Sequence, residues 1–356
     1  ENVFREEKRQ IGLSVEDRRR HLYLIGQTGT GKSWLMKNLF LADLQAGHGA
    51  CLIDPHGDLT DDLLGLVPAT RLDDVIVFNP GDVARPLGLN MLTYDLNRPE
   101  EKTFIVNELQ SIFNQLFLKE TMGPMFEKYM RNTLLLLMED FATEATTLLE
   151  VPRVLTDNEY RERKLKRINN PAVVDFWTKE APRTSGEQGL ANMAPYISSK
   201  LDGFILNDYL RPILGQAQSA FNFRQLMDER KILMVNLAKG KIGDISSRLI
   251  GMIVVGRLLM AALSRQELTE SSRQDFYLYI DEFQNYTTES IAVILAEARK
   301  YRLNLTIAHQ FIKQLTDDIR ESVFGNIGNL LAFRVGVPDA EFLVKYFGPE
   351  FTVNDL

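Results

Sequence analysis

The sequence predicts an α/β fold: a mainly parallel sheet with helices on both faces and an all-helical insertion. Three observations carry that prediction. Short apolar runs alternate with helical periodicity at both ends of the chain, as in βαβ units. Between about Arg98 and Arg230 strand candidates give way to helical patterns. A glycine-rich loop sits between the first apolar run and the helix after it.

The first run, His21 to Ile25, ends at Gly26, and Lys32 to Gln45 follows with helical spacing. Strands are predicted over Ala50–Ile53, closing at Asp54-Pro55-His56-Gly57-Asp58, and over Val75–Phe78, closing at Asn79-Pro80-Gly81. Helices are predicted over Glu101–Leu118, Met125–Phe141 and Asn158–Arg167, with a loop over Arg183–Gly189. The strand–helix alternation then resumes. A strand is predicted over Ile232–Leu237, a loop over Ala238–Asp244 and a helix over Ser246–Leu263. Next come a strand over Phe276–Ile280, a helix over Ser290–Arg302, a strand over Leu303–Ala308 and a last strand over Leu330–Val335. The expected divisions are residues 1–97 and 231–356 for the two parts of the α/β unit and 98–230 for the helical insertion.

Composition narrows the chemistry. The 356 residues are 45% hydrophobic and 25% charged, which is ordinary globular usage. A single cysteine, Cys51, excludes an internal disulfide framework. His21, His48, His56 and His309 lack zinc-ligand spacing. The net charge of −7 argues against a surface that coats nucleic acid all round and leaves room for a local basic channel. Leu249–Leu263 is the most apolar long stretch, carries Arg257, and reads as a buried helix rather than a span of roughly 18 to 20 apolar residues. The sequence starts at Glu1, so it reads as a piece of a longer protein.

Gly26-Gln27-Thr28-Gly29-Thr30-Gly31-Lys32-Ser33 matches G-x-x-x-x-G-K-S/T in the required strand-to-helix setting. Glycines let backbone N–H groups turn inward around phosphate oxygens, and the helix start behind them favours the same anion. Lys32 would reach the β- and γ-phosphates of ATP, and the Ser33 hydroxyl would ligate Mg²⁺. The strand ending in Asp281-Glu282 offers two carboxylates beside that loop: Asp281 for the Mg²⁺ shell, Glu282 to polarise the attacking water. Gln310, just past a predicted strand, could sense the γ-phosphate, with His309 facing the other way.

Arg299-Lys300-Tyr301-Arg302 closes a predicted helix, where cations are favourable in any case. Arg299 is also placed to act as an arginine finger on a neighbouring subunit's nucleotide. Lys239 and Lys241, around Gly240, could contact a phosphodiester backbone or form a solvated turn. The basic run Arg161–Arg167 is equally open, and Asp54 with His56 reads as a structural turn.

Together the phosphate loop, Asp281-Glu282, Glu297-Ala298-Arg299-Lys300-Tyr301, Gln310 and Asp54-Pro55-His56-Gly57-Asp58 resemble the FtsK–HerA superfamily of P-loop ATPases. Within it the chain looks most like conjugative coupling and type IV secretion ATPases of the TraG/TraD type. The resemblance implies a RecA-like ATP hydrolase using ATP and Mg²⁺, assembled as a homo-oligomeric, hexameric ring that moves DNA through its centre. It also implies a relaxase or type IV secretion components as partners. The implied location is cytoplasmic, at the inner face of a membrane where partners or a segment outside this chain hold it. Two other readings stay open: a secretion ATPase powering pilus assembly or protein transfer, and a nucleotide-switched platform for partner recognition.

Overall fold

The computed structural model describes residues 2–4, 7–9, 12–117 and 122–356. Seven strands form one sheet: β1 (Leu22–Ile25), β2 (Gly49–Asp54), β3 (Val75–Phe78), β4 (Ile232–Asn236), β5 (Phe276–Ile280), β6 (Leu303–His309) and β7 (Asn329–Ala332). Their spatial order is β3-β4-β2-β5-β6-β1-β7, and every pairing is parallel. This is a RecA-like arrangement. A separate antiparallel hairpin pairs Asn2–Phe4 with Glu7–Arg9.

A parallel sheet must be covered on both faces, so its central strands read as continuous apolar runs. Every residue of β2, β4, β5 and β6 is buried, whereas the edge strands β3 and β7 are mostly half-buried. The main helices are α1 (Lys32–Gln45), α2 (Asp58–Leu64), α3 (Glu100–Leu116), α4 (Pro124–Glu139), α5 (Leu190–Ile205), α6 (Asp244–Ser264), α7 (Glu289–Glu297), α8 (Asp317–Asn326) and α9 (Val337–Phe347). One face of the sheet packs Leu22, Leu24, Leu52 and Tyr279 against Met36 and Phe40 of α1 and Leu59 and Leu63 of α2. The other packs Tyr23, Ile53, Leu278 and Ile280 in a cluster that includes α6 and runs on through α3, α4 and α5.

Helix α6 explains its own charged residue. The window around Asp244–Glu267 is long and apolar enough to cross a membrane by composition (mean hydropathy 1.6), yet 83% of it is buried inside the fold. Arg257 within it donates to the carbonyls of Thr93 (2.6 Å), Asn90 (3.2 Å) and Met91. Burial lowers its pKa to about 10, and the nearby Glu101 opposes that shift. It thereby clips the connector entering the helical segment onto the sheet-covering helix. Gly256, the residue before Arg257, leaves room for Glu108, whose Oε1 would stand 2.7 Å from a β-carbon there. That carboxylate accepts from the hydroxyls of Thr288 and Ser290 at the start of α7.

Several predicted bounds move. The expected end of the second helical element at Leu118 lies outside the described residues. The expected loop at Lys239–Lys241 is a helical turn, Lys239–Ile242, entered through Ala238 at φ +46°. The expected helix 290–302 ends at Glu297 and tightens into a 3₁₀ turn, Ala298–Tyr301. The last strand stops at Ala332, freeing Phe333 and Arg334 to fold onto the phosphate loop. Helix α5 escapes a sequence reading because Pro195 and Gly203 interrupt it, yet Met193, Ile197, Leu201 and Phe204 give it a buried stripe.

Candidate nucleotide site

Strand order builds this site. Because β6 lies between β1 and β5, the segments leaving these three strands stand side by side at the carboxyl edge. They carry the phosphate loop, Gln310, and the pair Asp281-Glu282.

The loop from Gly26 to Gly31 is held from behind. Gln27 N–H donates to Arg334 O (2.9 Å), and Phe333 N–H to Ile25 O (2.8 Å). A β-carbon on Gly26 would come within 2.6 Å of Phe333 Cβ, so the close approach of β7's continuation demands glycine. Gly29 (φ +78°) and Gly31 (φ +108°) take left-handed backbone that turns the loop into α1. The Thr30 hydroxyl donates to Gln27 O (2.8 Å), closing the curve.

Lys32 is buried within this curve, its Nζ donating to Gly26 O (2.5 Å) and Gln27 O (3.0 Å). Burial lowers its pKa, opposed by the negative charges of Asp281 and Glu282. Ser33 Oγ lies 3.5 Å from Asp281 Oδ2. Burial also raises Asp281 to about 6. Its bond from Glu282 N–H (2.9 Å) opposes the rise, the charges of Glu282 and Asp54 add to it, and Lys32 opposes it. A carboxylate short of positive charge beside a hydroxyl suits a hard divalent cation that keeps water and phosphate oxygens as its other ligands. Among the described residues no cluster of His, Cys, Asp and Glu forms an all-protein metal cage, and a cation of this type needs none.

Glu282 sits at φ +48°, ψ +46°, a conformation that typically costs a non-glycine residue about 1 kcal/mol or more. Surrounding bonds hold it there. Its Oε1 accepts from Gln310 Nε2 (2.8 Å) and its Oε2 from Gln284 Nε2 (2.6 Å). Gln310 Oε1 in turn accepts from the Thr28 hydroxyl (3.1 Å). An unbroken chain, Thr28–Gln310–Glu282–Gln284, thus joins the loop to the acid strand. Gln314 Oε1 fixes the Gln310 turn by accepting from the N–H groups of Gln310 (3.2 Å) and Phe311 (3.1 Å). His309 faces away, buried and bonded to the Tyr23 hydroxyl.

The structure therefore brings together Gly26 through Ser33, Asp281, Glu282 and Gln310. It does not bring Arg299 to them. That residue precedes β6, whose far end carries Gln310, so roughly 20 Å of strand separates the two. It lines a cleft of about 470 Å³ with Arg19, Arg302 and Glu270. Lys239 and Lys241 leave β4, two strands from β5, and touch none of the site residues; Lys239 pairs with Asp244 (2.6 Å), while Lys241 is exposed. Asp54 serves its turn, accepting from His56 N–H (3.1 Å) and Thr60 N–H (2.8 Å). The Arg161–Arg167 run is mixed: Glu162, Arg163, Lys166 and Arg167 are exposed, whereas Lys164 is buried against Asp140 (2.8 Å) and Arg161 packs on Trp177. Sequence reasoning missed Gln284, Gln314 and Phe333. Only Gln284 had a visible signal, lying two residues beyond the acid.

A family described as the type IV secretion-system coupling protein DNA-binding domain matches residues 7–341. Among solved structures, the unbound monoclinic form of the bacterial conjugative coupling protein TrwBdeltaN70 superposes with a TM-score of 0.63 and 19% identity, over 96% of this chain and 76% of that one. The plasmid coupling protein TrwB in complex with ADP and Mg²⁺ gives 0.66 and 19%, over 96% and 79%. VirB4 of Thermoanaerobacter pseudethanolicus gives 0.61 and 14%, over 92% and 81%. At these identities the likeness is one of fold. No curated protein matches the chain.

Proposed function

The chain belongs to the type IV secretion-system coupling protein DNA-binding domain family, and from that premise we propose an ATP-driven DNA translocase of the conjugative coupling type. The hydrogen-bonded chain Thr28–Gln310–Glu282–Gln284 carries the reading. It ties the group that would polarise water to the loop that would hold the triphosphate, so a change at one is felt at the other.

In this mechanism the amides of Gly26 to Ser33 bind the phosphates, and Lys32 leaves its carbonyl partners to neutralise them. Ser33 and Asp281 would hold Mg²⁺, which would supply positive charge to offset that of the phosphates. Glu282 accepts a proton from the attacking water, held in line by the two glutamine amides. Gln310 reports the γ-phosphate to the rest of the strand. Arg299 acts on the site of the next subunit in a homo-oligomeric, hexameric ring. Residues 98–230 form the inserted helical unit. Lys239 and Lys241 face DNA in the channel. A relaxase and secretion components are the partners, on the cytoplasmic side of a membrane.

The test is ATP hydrolysis by purified protein with and without DNA, across salt concentration. DNA should stimulate turnover, and the stimulation should fall steeply with salt as phosphate contacts are screened. Lys32→Ala should abolish hydrolysis in both conditions. Turnover indifferent to DNA but raised by a secretion component would replace the translocase with a protein-transfer or pilus-assembly ATPase.

A further inference from the structure

Trp34 is the residue this mechanism leaves unused. It follows Ser33 in the first turn of α1, and its indole is 70% exposed, more than any other large apolar side chain among the described residues. The inward face of α1 is made by Lys32, Met36, Phe40 and Leu44. Trp34 stands off that face, near Lys37, which pairs with Asp62, and Asn38, whose amide donates to Trp34 O (2.8 Å). No ring or cation of the described residues packs on the indole. Burying a tryptophan contributes more than burying almost any other side chain, so an indole left in water beside a phosphate loop points to an occupant.

The site's polarity says which part of a nucleotide that is. Lys32, Asp281 and Glu282 gather at the terminal-phosphate end. The back of the loop is closed by Phe333 and Arg334. Gly31 caps α1 with no side chain, so the first amides of the helix are free for the phosphate nearest the sugar. The nucleoside then leaves past the first turn of α1, where Trp34 stands.

We propose that Trp34 is the base platform of this site: its indole stacks on the purine of a nucleotide whose phosphates occupy the loop from Gly26 to Ser33. The proposal rests on the nucleotide-binding reading above. Stacking uses the π-face that every base has, so adenine and guanine nucleotides should bind within a few-fold of each other.

The chain has two tryptophans, and the other, Trp177, is buried in the helical segment with its Nε1 donating to Asn132 O (3.3 Å). Indole emission therefore reports Trp34 in Trp177→Phe protein, or equally as wild type minus Trp34→Phe. The ligands are MgADP and magnesium pyrophosphate, which share phosphate chemistry but not the base. MgADP should quench the Trp34 signal and pyrophosphate should leave it nearly unchanged. By calorimetry, Trp34→Ala should weaken ADP about tenfold or more while pyrophosphate stays within about twofold, and Trp34→Phe should recover most of the loss.

Parallel weakening of both ligands would overturn the proposal, because it would mean a distorted loop. Unchanged ADP affinity would overturn it too, and a shifted assembly mass alongside would place the indole against a neighbouring copy. Wild-type protein that binds pyrophosphate no more weakly than ADP would remove the base contact alone. Wild-type protein that binds neither would remove the nucleotide reading and the platform with it.

Discussion

The two poles of the sheet are built on different rules. At the carboxyl pole, Thr28, Gln310, Glu282 and Gln284 are linked by amides and a hydroxyl, and Gly29, Gly31 and Glu282 all sit at positive φ. At the amino pole, ions are paired off. Arg19 grips Asp275 (2.7 Å), which also accepts from Asn304 (3.0 Å); buried Arg265 meets Asp228 (2.9 Å); Lys300 meets Glu297 (3.0 Å). Positive φ is common to both, occurring also at His21, Arg230 and Arg302 on the amino side; what differs is that one pole aims its polar groups at the loop while the other pairs them off. Arg299 is an exception, as is Arg20: each is exposed, and its side chain makes no hydrogen bond or ion pair among the described residues. Such a cation is free to make the contact with the next subunit proposed for Arg299.

The largest expected effect tests that exception. Arg299→Ala should leave the fold intact and lower ATP hydrolysis about a thousandfold or more, the scale of an arginine finger. Mixing Arg299→Ala with Lys32→Ala subunits should restore part of the activity, because an intact loop then abuts an intact arginine in some rings. No recovery at any mixing ratio, in rings shown by mass to be mixed, ends the idea of action in trans.

The next effect belongs to the carboxyl pole. Glu282→Gln should cut turnover about a hundredfold to ten-thousandfold while nucleotide still binds, since the amide keeps its shape but accepts no proton. Equal turnover in the variant and the parent would remove Glu282 from the role.

The contrast between poles also sets what the sequence revealed. The loop and Asp281-Glu282 were legible because their chemistry is local: phosphate binding demands glycines at fixed spacing, and the acids follow an apolar strand directly. The parallel core was legible because burial on both faces writes continuous apolar runs. Gln314 and Phe333 were illegible because their roles exist only across chain contacts, one holding the turn at Gln310 and the other backing Gly26. The run around Lys164 reads equally as a solvated face or a phosphodiester contact, but the partner of Lys164, Asp140, lies 24 residues away in sequence, and no local spacing announces a buried pair.

The smallest expected effect reads the two poles through one histidine each. His21 sits at the amino end of β1, its Nδ1 accepting Leu305 N–H (3.0 Å), and His309 closes β6 against Tyr23. Burial lowers both to about 4 from an ordinary 6.5. The unfolded chain therefore takes up protons that the native state refuses between pH 6.5 and about 4, so stability is full above 6.5 and falls as pH drops through that window. Asp281 works in the opposite sense: raised to about 6 from 3.8, it gains stability on acidification between those values. Taken by themselves, these two histidines against Asp281 give a net acid loss on the order of 3 kcal/mol between pH 7.5 and 4.5. Urea midpoints at the two pH values measure it. His21→Asn, which tolerates the φ of +66° there, should flatten the slope by removing the titrating ring. Asp281→Asn should steepen it, by deleting a group that pulls the other way. A slope unchanged by His21→Asn would mean that the ring at the amino pole takes up its proton alike in the folded and unfolded chain.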